Sequence, residues 1–254
     1  MKQRKIIHII LLMMIALCGC SDNRSISSDK EKVVLNERQK MILAESDLPI
    51  EYEELGYTQQ KSIIAIEEML QSVEAKYGME FRYVGYILPG PLNVEKLVAC
   101  AMDGYDSIDS FSVTREMVDG EYVYTDEYMC VAVRDMFNRY ISDSVEKEMQ
   151  IKGMKVYPEV TFTTLEEVPG DVTELDGNIA GSVMFFADNT LLSEEGVSSF
   201  AAWYKKWMQE HQIPGIVDVI ILEQGVLDKL TIFNYTDFLT DDYCIYRESF
   251  YWNN

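Results

Sequence analysis

The sequence predicts an α+β fold in which three main helices pack on antiparallel or mixed β-sheets. Residues 58–77 and 193–211 carry apolar side chains every three or four positions, which is the period of an amphipathic helix. Other runs are rich in aromatic and β-branched residues, which is typical of strands. Short turns join many of these runs and favour antiparallel pairing, because parallel strands need long crossover connections.

Residues 1–19 are predicted to be a signal peptide. Lys2, Arg4 and Lys5 precede an apolar run over residues 6–17, the order found in secretory signals. Twelve helical residues span roughly 18 Å, which is too short for the roughly 30 Å hydrocarbon core of a bilayer. A lasting transmembrane helix is therefore not expected here.

The run ends in Leu17-Cys18-Gly19-Cys20, which resembles the lipobox of bacterial lipoproteins. The resemblance implies that Cys20 is the lipid attachment site and that the chain is cut just before it. It also implies a protein of the cell membrane, lipid-anchored on the extracytoplasmic face. The usual box has two small residues before the lipidated cysteine, and Cys18 at the first of these positions is a mild departure. An ordinary signal peptide with a coincidental cysteine and an uncleaved N-terminus remain alternatives.

Three regions follow from this pattern: the signal peptide, a lipidated N-terminus and flexible tether over residues 20–34, and one globular domain over residues 35–254. The tether is polar, and over residues 21–32 its three acidic residues balance its three basic ones. Cleavage removes three basic and no acidic residues, so the formal charge changes from −21 to −24.

The first half of the domain begins with two predicted helices. Residues 36–45 form a short helix capped by Asn36. Residues 58–77 form a long helix that ends at Gly78. Glu67 lies off the apolar stripe of this helix and is expected to face solvent. The stripe consists of Ile63, Ile66, Leu70, Val73 and Tyr77.

Strands are predicted next, over residues 80–88, 95–102 and 111–118. Asp119-Gly120 is a strong hairpin signal. Residues 122–134 alternate in part, which favours a strand as far as Val133. Asp135 is then expected to cap a helix that ends near Met149.

The second half alternates strands with one more helix. Residues 155–163 form a strand that Pro158 places at a sheet edge, and residues 165–178 form a loop. A buried strand over residues 181–187 precedes the helix from Ser193 to His211. Strands are predicted over residues 215–223, 226–234 and 242–251. Because residues 58–118 and 193–251 both present a helix and three strands, two related α-β-β-β units are a hypothesis.

Composition narrows the function classes. The chain is 48% hydrophobic and 26% charged, which excludes a disordered or low-complexity protein. Its acidity argues against nucleic-acid binding, since phosphate contacts require Lys and Arg. No phosphate-loop, dinucleotide-binding, nucleophile-elbow or zinc motif is present, so the sequence predicts no cofactor and no metal.

Three cysteines remain beyond the lipobox: Cys100, Cys130 and Cys244. Their apolar neighbours favour buried free thiols, with one disulfide plus one free thiol as the alternative. The single histidine beyond the signal peptide, His211, ends a predicted helix and is expected to interact with its last carbonyl groups.

One aromatic cluster is the predicted contact surface. Tyr122, Tyr124 and Tyr128 are flanked by acidic residues, a combination that suits a cationic protein or peptide partner. The packing preference of antiparallel strands for aromatic residues is the alternative explanation.

Residues 36–134 are similar to uncharacterised lipoproteins of Gram-positive bacteria, which implies no particular function. The sequence favours a membrane-anchored binding or interaction module. The alternatives are a cell-envelope enzyme that uses carboxylates, such as a glycan hydrolase, and an immunity or inhibitor protein. It does not determine the ligand or the oligomeric state.

Overall fold

The computed structural model describes residues 33–253 and confirms the α+β fold. The signal peptide, Cys18, Cys20 and the tether as far as residue 32 lie outside the described residues. The helices are α1 (Glu37–Glu45), α2 (Tyr57–Tyr77), the single turn α3 (Asp106–Asp109), α4 (Tyr128–Ser144) and α5 (Glu194–His211).

Eight strands form two four-stranded sheets. The first sheet contains β1 (Phe81–Ile87), β2 (Lys96–Ala101), β3 (Phe111–Val118) and β4 (Glu121–Asp126). The second contains β5 (Lys155–Thr163), β6 (Ile179–Asp188), β7 (Gly215–Leu222) and β8 (Cys244–Trp252). Both sheets keep their strands in chain order. The first is fully antiparallel, whereas β6 and β7 pair in parallel because α5 connects them.

Helix α2 packs on one face of the first sheet through its apolar stripe. Leu70 is fully buried, as predicted, and belongs to the same core as Phe81, Leu97 and Val113. Gly78 ends the helix in the left-handed conformation, with φ of 68°. Helix α1 begins at the predicted cap, since the Asn36 side chain accepts the N–H of Gln39.

The second sheet has helices α4 and α5 on one face. Phe137 of α4 and Phe200 of α5 share a core with Phe185 and Val219 of the sheet. The opposite face is partly covered by apolar side chains of the segment that follows β7, including Leu227 and Leu230. Strand β5 is an edge strand, as Pro158 predicted.

The strand predicted over residues 122–134 is wrong beyond Asp126. Helix α4 begins at Tyr128, whose N–H is accepted by the Asp126 carboxylate at 3.1 Å, and Asp135 lies inside the helix. The partial alternation of apolar and polar residues before Asp126 suggested that the strand continued. It obscured the apolar residues that recur every four positions in the helix. These buried apolar residues are Met129, Val133, Phe137 and Ile141.

The strand predicted over residues 226–234 is also wrong. This segment contains a 3₁₀ turn at Leu227–Lys229, and its apolar side chains pack onto the sheet as a cap. The second half therefore lacks a third strand after α5. The hypothesis of two α-β-β-β units fails with it, because one sheet is an antiparallel meander and the other contains a parallel crossover.

Candidate functional site: an acidic groove beside an edge strand

An open groove of about 1050 Å³ lies between α1 and β1. Helix α1 lines one wall with Glu37, Met41 and Glu45, and the start of β1 lines the other. Small-molecule pockets usually enclose about 300–1,000 Å³. The groove is therefore large enough for a short segment of polypeptide.

The groove meets β1 along the edge of the strand. Glu80 and the next four residues, as far as Val84, all line it. Consecutive side chains of a strand point to opposite faces of the sheet, so a cavity over one face would meet only every second residue. β1 is also the terminal strand of the first sheet. The groove therefore exposes the backbone edge of the sheet.

Arg38 holds α1 in place above this edge. Its Nε and Nη2 donate to the two carboxylate oxygens of Glu67 at 2.9 and 2.8 Å, and its Nη1 donates to Glu74. Glu74 also accepts the backbone N–H of Phe81 at 3.2 Å. One guanidinium thus connects α1, α2 and the first residue of β1.

Glu67 is a buried anion, which corrects the expectation that it faces solvent. Only 8% of the residue is exposed. Burial raises the pKa of its carboxyl, but hydrogen bonds from Arg38 and Gln71 outweigh burial and leave the pKa below its ordinary value of 4.5. Glu67 is consequently charged at neutral pH and is unsuited to act as a general acid there.

The groove has a strong excess of negative charge. Six acidic and two basic residues line it. Both basic residues are engaged, since Arg38 binds Glu67 and Glu74 while Arg82 pairs with Asp106. Within residues 33–253, the carboxylates of Glu45 and Glu80 have no hydrogen bond or ion pair. These two exposed carboxylates are free to meet a cation.

An apolar pocket of about 210 Å³ continues the groove towards the end of β1. It shares Ile42, Ser46 and Tyr83 with the acidic part, so the two cavities are adjacent. Leu48 and Leu88 are among its other lining residues. The site therefore combines an acidic part with an apolar part along one strand.

The predicted tyrosine surface lies elsewhere and is only partly assembled. Tyr122 and Tyr124 lie on β4, the opposite edge of the first sheet, with ring centroids 6.4 Å apart. The Arg115 guanidinium carbon lies 4.1 Å from the Tyr122 ring centroid. Arg115 in turn binds Glu68 and Glu95. The Tyr122 ring is therefore occupied on one side by a cation that two glutamates already neutralise.

Tyr128 does not belong to that surface. Strand β4 ends before it, and Tyr128 begins α4 instead. Its ring packs edge-on against Tyr77 and Phe81, with both centroid distances 4.8 Å. Its hydroxyl lies 3.2 Å from the sulfur of Met79. The structure thus places Tyr128 in core packing rather than in a contact surface.

The three cysteines of the described residues are free thiols. Cys100 is buried, while Cys130 and Cys244 are partly buried. Burial raises the pKa of all three thiols. They are therefore protonated at neutral pH and poorly activated as nucleophiles.

His211 forms the last residue of α5, as predicted, but its side chain binds a loop. Its Nδ1 lies 2.7 Å from the Tyr140 hydroxyl and 3.0 Å from Oδ2 of Asp176. The expected interaction with the last carbonyl groups of the helix is replaced by this bridge. The same nitrogen serves both partners, so the arrangement connects α4, α5 and the loop before β6.

Within the described residues, no three His, Cys, Asp or Glu side chains are grouped so that they could hold a metal ion. In the same part of the chain, no helix is long and apolar enough to cross a membrane.

Comparisons with known proteins give little further information. No family model matches the sequence, and no curated protein matches it. Among solved structures, the chain is similar to the crystal structure of a DUF5037 family protein from Ruminococcus gnavus ATCC 29149, with 12% identity and a TM-score of 0.37. The match covers 65% of this chain and 78% of that chain.

Sequence reasoning missed the groove because its parts are distant along the chain. Glu45 ends a short helix and Glu80 precedes a strand, and neither stands out among 43 acidic residues. The edge position of β1 had no sequence signal, because it depends on the order of strands in the sheet.

Proposed function

We propose that this protein is a membrane-anchored extracytoplasmic binding module whose groove between α1 and β1 binds a cationic segment of a partner polypeptide. The observation that carries this proposal is the charge of the groove, where six carboxylates face only two guanidinium groups, both already paired. A bound lysine or arginine side chain would meet Glu45 and Glu80 without displacing an existing ion pair.

The anchor rests on the sequence. A basic start, an apolar run and Cys20 follow one another in the order and spacing of a lipoprotein signal. The tether would then hold the acidic domain beside the outer face of the membrane. The net negative charge of the domain should attract cationic partners and speed their association at low ionic strength.

A titration of the full chain in detergent tests the proposal. The probes are two fluorescent octapeptides, one of alternating valine and lysine and the other of alternating valine and glutamate. We expect the lysine peptide to bind, with its Kd rising about tenfold between 50 and 300 mM salt as the charges are screened. The glutamate peptide should not bind.

Two double variants locate the binding. Glu45→Gln with Glu80→Gln should weaken the lysine peptide about fivefold or more. Glu166→Gln with Glu167→Gln removes the same charge from an exposed loop of the second half and should change Kd less than about twofold. Equal effects of the two pairs would show that only overall charge matters. Absence of binding by the lysine peptide would contradict the proposal.

A further inference from the structure

The geometry points to strand addition as the binding mode: we infer that the cationic segment pairs in extended form with the free edge of β1. This inference rests on the proposed function and specifies how the same groove recognises its ligand. The occupant is an extended segment of a partner polypeptide that carries both cationic and apolar side chains.

The outward backbone groups of β1 identify the pairing positions. Phe81 donates its N–H to Glu74 of α2, so this group points away from β2. In an antiparallel strand these groups alternate between the two sides, so the N–H and C=O of Tyr83 also point away from β2. Within residues 33–253, neither group of Tyr83 has a hydrogen-bond partner outside the sheet. They form an open position for an added strand.

The edge of β1 is only partly protected. Edge strands are commonly protected by charged side chains, proline, β-bulges or a covering element. The ladder of β1 is irregular between Tyr83 and Gly85, so the regular part of the edge is residues 81–83. Helix α1 stands across the groove from β1 and leaves this length of edge open.

The two parts of the groove follow one another along β1. The acidic part offers Glu45 and Glu80 near the start of the strand, and the adjoining apolar pocket lies beside Tyr86 and Leu88 towards its end. An extended ligand that carries both cationic and apolar side chains can therefore reach both parts. Backbone hydrogen bonds would supply affinity, and the two parts of the groove would supply selectivity.

Charge argues against a second copy of the chain as the occupant. Edge-to-edge pairing of two β1 strands would bring two acidic grooves together, each with four more acidic than basic residues. Like charges directly opposed in a sheet are destabilising. A cationic partner would be attracted to the acidic groove instead of being repelled by it.

N-methylated peptides test the inference on the unmodified full chain in detergent. The parent is the valine–lysine octapeptide, and two analogues carry N-methyl groups either on all valines or on all lysines. The two sets of N–H groups point to opposite edges of an added strand, so only one analogue loses the donors that face β1. Both analogues keep the charge and the side chains of the parent.

We expect one analogue to bind at least about tenfold more weakly than the parent and the other to stay within about threefold. Equal binding by all three peptides, or equal weakening of both analogues, would overturn strand addition. Where the parent still binds and depends on Glu45 and Glu80, the proposed function survives that result. Dimers of the chain without peptide, seen by light scattering and dissociated by the valine–lysine octapeptide, would assign the β1 edge to a second copy and would overturn the stated occupant.

Discussion

At the residue scale, Glu67 shows where helical periodicity stops being informative. Its position off the apolar stripe of α2 predicted solvent exposure, and the stripe itself was predicted correctly. The sequence contains no sign that Arg38, 29 residues earlier, would dock over this position with two hydrogen bonds. A side chain outside the apolar stripe of a helix can thus still be buried by another element. The periodic pattern identifies only the face of the helix that packs on the sheet.

Neutralising this anion should destabilise the fold. We expect Glu67→Gln to lower the free energy of unfolding by about 1–2 kcal/mol at pH 7, because Arg38 then loses its bidentate partner while remaining partly buried. The expected loss is limited because the Arg38 side chain is 29% exposed and solvent screens the pair. Glu45→Gln is the matched control, at under about 0.5 kcal/mol, since this exposed carboxylate has no partner among the described residues.

The ion pair between Glu67 and Arg38 should make the stability of the fold depend on pH in a defined direction. Folding lowers the pKa of Glu67 below 4.5, so its stabilising contribution is fully present above that pH and is lost as the pH falls through the lowered pKa. The stability gap between the wild type and Glu67→Gln should therefore shrink between about pH 5 and pH 3. Chemical unfolding at a series of pH values measures it. A gap that stays constant or widens on acidification would show that Glu67 contributes packing rather than charge.

At the element scale, most helices and strands could be predicted because their local signals agreed. Helix α5 has a capping Ser193, two glutamates in its first turn and a strong apolar stripe, and it begins and ends where the sequence indicated. The hairpin between β3 and β4 turns at Asp119 and Gly120, both with positive φ, as expected for this dipeptide.

The failures at this scale come from short apolar segments. A stretch of four to eight apolar residues fits a buried strand and a buried helical turn equally well. The segment around Leu227–Lys229 buries Leu227 and Leu230 by capping a sheet, and the start of α4 follows closely on an alternating strand. Tertiary contacts decide both cases, and those contacts are not visible in the local pattern.

The candidate site was harder to predict than the fold. The tyrosines chosen from the sequence are adjacent along the chain, but only Tyr122 and Tyr124 share a strand and a face. The groove instead combines α1, α2 and β1, whose relative positions depend on which strand lies at the edge of the sheet. A site that is built by topology leaves no contiguous motif in the sequence.

At the scale of the whole molecule, the proposed lipid anchor would lie close to the proposed acidic binding domain. A diacylated Cys20 would supply two acyl chains, which is sufficient for stable membrane attachment. The first buried apolar residue of the described chain is Leu35, and Val34 before it is 81% exposed. Only a short segment would therefore separate the proposed anchor from the helix that forms one wall of the groove.

The anchor is tested by metabolic labelling with a palmitate analogue. The wild-type chain should be labelled and should sediment with membranes. Cys20→Ala should lose both properties, whereas Cys100→Ala, which changes a buried thiol of the domain, should keep them. Labelling that survives in Cys20→Ala would assign the lipid to another residue and would contradict the lipoprotein signal.

The central claim is that the groove beside β1 is the binding surface, and hydrogen–deuterium exchange on the full chain with and without the valine–lysine octapeptide tests it most directly. The account predicts slower exchange over α1 and β1 when the peptide binds, and unchanged exchange over β4 and β8. Protection confined to β4, around Tyr122 and Tyr124, with α1 and β1 unaffected, would contradict it.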